Sequence, residues 1–171
     1  YFSYATDKNK ETLKWFGLAK FLFVLNVFLN LFRDTIPDLV AVNLSMTIFY
    51  AASYYESIAM LQMISPSRKF YRAQLFITAA SALTFNLFAF IGSSKEAMMA
   101  FCFSVPAILF RPVTKIFLKK NRNLFHFIYA LGYGIYCVLI IVRGIHIFFV
   151  EPSKLYVIDA FDIIFYLCSF L

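Results

Sequence analysis

Asp159 and Asp162 stand three residues apart in an otherwise apolar stretch, and Arg143 stands alone in the apolar stretch before it. Residues three apart on a helix share a face, so the two carboxylates would point the same way. A guanidinium at the same depth would pair with either. Glu56 is a fourth charge set among apolar neighbours. Asn26, Asn30 and Arg33 are spaced four and three apart, which places them on one stripe of one helix. Asp38 and Asn43 open the stretch that follows them. Charges at membrane depth are costly and face protein or trapped water where they occur. One reading makes Asn30, Arg33, Asp38, Arg143, Asp159 and Asp162 the lining of a polar pocket for a small ligand. The other makes the same groups interhelical hydrogen bonds that fix the packing. Residue types and spacing leave both open.

Other chemistry has little support. There is no HExxH, no GxSxG and no phosphate-binding glycine loop. His126 and His146 lie near opposite ends of one apolar stretch, so they do not offer two heme ligands at one depth. No metal or cofactor is expected. Cys102, Cys137 and Cys168 lie inside apolar runs, and none falls in a CxxC. They read as buried, reduced side chains. Ala130 and Gly134 form a small-xxx-small pair that admits a second helix closely, and Pro106 is expected to kink its helix.

The elements that must position these groups follow from composition. The chain has 171 residues, 62% hydrophobic and only 15% charged, with 23 Phe and 11 Tyr. A soluble domain averages about 25% charged residues, and no soluble core of this size would hide so many rings. Six apolar runs, 13–32, 39–64, 73–92, 97–118, 124–150 and 155–171, each have about the length of a membrane-crossing helix. Barrel strands would show alternating segments of about ten residues, which are missing. The expectation is an all-α integral membrane protein, a bundle of about six transmembrane helices forming one domain over residues 1–171.

The net charge of +7 sits in the gaps between runs, which argues for loops at a membrane surface and against nucleic acid. Lys8, Lys10, Lys14 and Lys20 precede or open the first run. Arg68, Lys69 and Arg72 follow the second, and Arg111, Lys115, Lys119, Lys120 and Arg122 close the fourth. The alternate gaps hold only Arg33, Lys95 and Lys154. The positive-inside rule then places both termini in the cytoplasm, in a multi-pass protein of the inner membrane. With that orientation Arg143 and the two aspartates fall in the outer half, whereas Glu56 and Gln62 are the main polar residues of the inner half. The run 155–171 lacks a closing polar flank, so the chain is expected to continue past Leu171.

The stretch Leu31-Phe32-Arg33-Asp34-Thr35-Ile36-Pro37-Asp38-Leu39 resembles the Arg-x-x-Ile-Pro-Asp junction of certain bacterial sensors. In that family a multi-helix membrane domain precedes a cytoplasmic histidine kinase or diguanylate cyclase domain. Ser67-Arg68-Lys69 is similar to the basic turn after the family's second helix, and Arg143 to a lone Arg on its fifth. The family tends to have Asn where this chain has Met46; Asn43 is nearby. The resemblance implies a sensor that perceives a small ligand or membrane signal and controls a C-terminal output domain. It also implies a homodimer formed through that domain. No catalytic site is expected within these 171 residues. A six-helix substrate-binding subunit of a vitamin-type transporter is the alternative.

Overall fold

In lipid every backbone N–H and C=O must find a partner within the protein, and a helix satisfies them all within one segment. The computed structural model describes residues 7–32, 35, 37–64, 68–119 and 124–149, and there the chain is helical. It forms α1 (Asp7–Leu31), α2 (Asp38–Ile64), α3 (Arg68–Phe90), α4 (Ser94–Leu118) and α5 (Leu124–Phe149). The run 155–171, read as a sixth helix, lies outside the described residues, as does Cys168. Cys102 and Cys137 are buried free thiols.

The helices start earlier than the apolar runs. α1 begins at Asp7 rather than at residue 13, and α3 at Arg68 rather than at residue 73. Hydropathy marks where lipid begins, but backbone hydrogen bonding continues into the polar interface. Lys20, Arg111 and Lys115, counted above with the gaps, therefore stand inside helices.

α1, α3, α4 and α5 are each long and apolar enough to cross a membrane, as in a multi-pass membrane protein. α2 is the hub of the bundle. It packs against α1, α3 and α4, and Ser45, Ser53, Glu56, Ser57 and Gln62 are all buried on it. The other helices expose several rings, among them Phe21, Phe76, Phe110 and Phe149.

An aromatic cluster fills the centre. Phe49 of α2 meets Phe23 of α1 and Phe101 of α4, each at 5.1 Å between centroids and close to edge-on. Phe85 of α3 closes on Tyr50 and Phe101 at 6.2 and 6.4 Å. These T-shaped separations are the favoured ones for aromatic pairs.

Glycine and proline set two details. Gly92 ends α3 with φ +84°. Ser93 N–H donates to the Phe88 carbonyl and Gly92 N–H to that of Ala89, which is the Schellman pattern with its left-handed glycine. Gly144 lets α5 meet α4: a Cβ there would lie 2.8 Å from the Cβ of Cys102. The partner of the Ala130–Gly134 face is also α4, since Gly134 faces Phe117 and Val113.

Pro112 leaves a carbonyl without its helical donor, that of Ile108, because proline has no N–H. Gln74 of α3 supplies the donor: its Nε2 lies 2.6 Å from the Ile108 oxygen, with Gln74 fully buried. Gln74→Leu is expected to cost about 1–3 kcal/mol, the penalty for stranding a buried acceptor. Adding Pro112→Ala restores an N–H to α4 and should recover most of that loss. Thermal unfolding of the single and double variants in lipid checks this, and equal melting of Gln74→Leu and Gln74→Leu/Pro112→Ala would contradict it.

A candidate functional site at a buried ion pair

Glu56 sits on the third helical turn from the end of α2 and is 2% exposed; Lys20 of α1 is 20% exposed. Their side chains meet at 3.1 Å between Nζ and Oε1. Tyr133 of α5 donates its hydroxyl hydrogen bond to the same carboxylate oxygen. Tyr129, one turn before it, points its hydroxyl to that of Tyr133 at 3.4 Å. One carboxylate thus gathers groups from α1, α2 and α5.

Aromatic rings wall the pair. Lys20 Nζ lies 5.1 Å from the Phe16 ring centroid and 5.6 Å from that of Phe23. Such cation–π contacts stabilise an ammonium more when it is desolvated. Phe16 meets Tyr129 at 5.8 Å, so α1 also touches α5 through rings. Trp15 stacks on Tyr55 at 5.4 Å with the planes 6° apart, and its buried Nε1 has no hydrogen-bond partner among the described residues. The arrangement can hold a charge pair at membrane depth, and a lysine with a long stem can leave it. No group of His, Cys, Asp and Glu suited to a metal occurs among the described residues.

The six residues of the sequence-based pocket fare differently. Asn30 is half-buried on α1, and its Nδ2 donates to the Asn26 backbone oxygen at 2.9 Å. Asn26 in turn donates to the Ser45 carbonyl at 2.6 Å, and the Ser45 hydroxyl faces Asn30 Oδ1 at 3.5 Å. The Asn26–Asn30 stripe is therefore a polar seam between α1 and α2. Arg143 is half-buried in the last two turns of α5. Asp38 opens α2, and nothing is described of its side chain. Arg33, Asp159 and Asp162 lie outside the described residues.

Further polar stitches bind α2 to its neighbours. The hydroxyls of Tyr50 and Ser104 meet at 2.7 Å, joining α2 to α4. Asn86 Nδ2 donates to Thr47 Oγ1 at 3.1 Å, joining α3 to α2. Lys119 caps the end of α2 at the Met63 carbonyl, 3.3 Å away.

Sequence reasoning placed Glu56 at depth but missed its partners. Lys20 reads as one of the N-terminal cations, yet its position carries a signal: it stands inside an apolar run, where a cation needs a counter-charge. Tyr133 offered no signal among 11 tyrosines.

The sequence matches no protein-family model, no curated protein and no solved structure.

Removing one member of a buried ion pair costs about 3–5 kcal/mol, because it strands the other, and replacing both by apolar groups is often neutral. Glu56→Leu is therefore expected to lower stability by about 2–4 kcal/mol, allowing for Lys20 swinging to water. Lys20→Met/Glu56→Leu should recover more than half of that. Melting temperatures in lipid nanodiscs read the cycle, and additive losses in the double variant would deny the coupling.

Proposed function

We propose that this chain is a membrane-embedded sensor module that passes a signal to a C-terminal cytoplasmic output domain of the histidine kinase or diguanylate cyclase type. In this reading the module has six transmembrane helices, both termini in the cytoplasm, and works as a homodimer through its output domains. The Arg33-to-Asp38 junction and the lone Arg143 support the family resemblance, and the uneven distribution of basic residues supports the orientation.

The observation that carries the reading is the Lys20–Glu56–Tyr133 junction. Ionisable residues within membrane-spanning segments are costly and characteristic of functional sites. Within this pair Lys20 is one fifth exposed and Glu56 is covered. A junction of a few strong contacts has two discrete states, made and broken, and such elements amplify small shifts into switching. It ties α1 and α2 to α5, the described helix nearest in sequence to the C-terminal side. A rearrangement along the α1–α2 seam would be felt at Glu56, then at Tyr133, then by the chain that follows α5. A ligand drives such a change only by binding one state better than the other.

The test uses the full natural protein in native membranes. Basal autophosphorylation, or conversion of GTP to a cyclic dinucleotide, is compared for the parent, Glu56→Gln and Tyr133→Phe at equal levels of folded protein. The expected result is a change in output of about fivefold or more, the lower end of usual coupling energies. Unchanged output in both variants would contradict the sensor mechanism. Altered small-molecule uptake with no enzymatic output would favour the transport reading instead.

A further inference from the structure

The end of the bundle that holds the starts of α3 and α5 and the ends of α2 and α4 carries a second charged constellation, far from Glu56 in kind. Arg111 and Lys115 are one helical turn apart on α4, on the same face. Both rest on one ring. The Arg111 guanidinium carbon lies 4.5 Å from the Phe70 centroid, and Lys115 Nζ lies 3.4 Å from it. Two cations fixed to a single centroid at these distances stand within about 8 Å of each other.

Like charges held this close repel, and among the described residues no carboxylate pairs with either. Lys69, exposed, adds a third cation on the same turn of α3 as Phe70. Phe70 also belongs to the first turn of α3, where unpaired backbone N–H groups add positive potential. The cluster sits at the polar margin of helices whose other faces meet lipid: Phe110 and Leu118, which flank it on α4, are exposed. Charge-assisted N–H···O contacts are about 2.8 Å long, so cations less than about 8 Å apart are within reach of one phosphate through two of its oxygens.

We propose that Arg111, Lys115 and Phe70 form a binding site for the phosphodiester headgroup of an anionic phospholipid, with its acyl chains lying along the exposed face of α4. The phosphate takes the repulsion out of the cation pair, and the Phe70 ring keeps both side chains from swinging away to water. A lipid, and not a free anion, is favoured because the site lies where helix faces pass from apolar to basic. The proposal does not rest on the sensor reading.

The experiment is native mass spectrometry of the purified chain released from nanodiscs of phosphatidylglycerol mixed with phosphatidylcholine. The parent should retain phosphatidylglycerol in preference to phosphatidylcholine. Arg111→Gln and Lys115→Gln should each cut that preference about fivefold, the factor equivalent to about 1 kcal/mol per basic side chain at an anionic surface. Lys95→Gln, at the opposite end of the bundle, should leave it unchanged. Lys115→Arg should keep it, which separates charge from folding. A parent without preference, or an Arg111→Gln/Lys115→Gln variant that retains the parental preference, would overturn the proposal. So would loss of bound phosphatidylglycerol on adding inorganic phosphate at matched ionic strength, which would mark a site for free anions.

Discussion

A carboxylate cannot stand alone at membrane depth, and the meeting of Glu56 with Lys20 and Tyr133 is the contact on which the arrangement of α1, α2 and α5 depends. In water, helices associate because their apolar faces leave solvent. In lipid that drive is missing, and association rests on close packing and polar contacts between helices. The bundle accordingly concentrates its buried polar groups on α2. The stitches from α2 together reach every other described helix: Ser45 to α1, Thr47 to α3, Tyr50 to α4 and Glu56 to α1 and α5.

Close packing supplies the remainder, and it explains where small and cyclic residues fall. Gly144 allows α5 to approach α4 at Cys102. Cys102 is also the residue whose carbonyl Pro106 deprives of its usual donor, four residues on. At Pro112 the same loss is met from outside the helix by Gln74. Both prolines are buried within α4, away from its exposed face.

Much of this was legible in the sequence, for physical reasons that differ by residue. Long apolar runs revealed the helices because lipid imposes a minimum length on them. Asn26 and Asn30 were readable as one stripe because their spacing matches a helical turn. Their partner Ser45 was not, since a serine on a helix is ordinary unless its neighbour is known. Helix starts were missed by several residues at α1 and α3, because polar residues continue a helix as readily as they end it. Lys20 was misread for a related reason: a lysine near the start of an apolar run looks like an interfacial anchor until a buried acid is found opposite. Tertiary pairing decides such cases, and one sequence does not contain it.

Solid-state NMR in lipid bilayers tests the central contact without altering a residue. Dipolar recoupling between the Lys20 side-chain nitrogen and the Glu56 carboxyl carbon reports their separation directly. Strong coupling is expected, corresponding to about 4 Å, with the carboxyl carbon also close to the Tyr133 ring. A Lys20 nitrogen with no measurable coupling to Glu56 would contradict it.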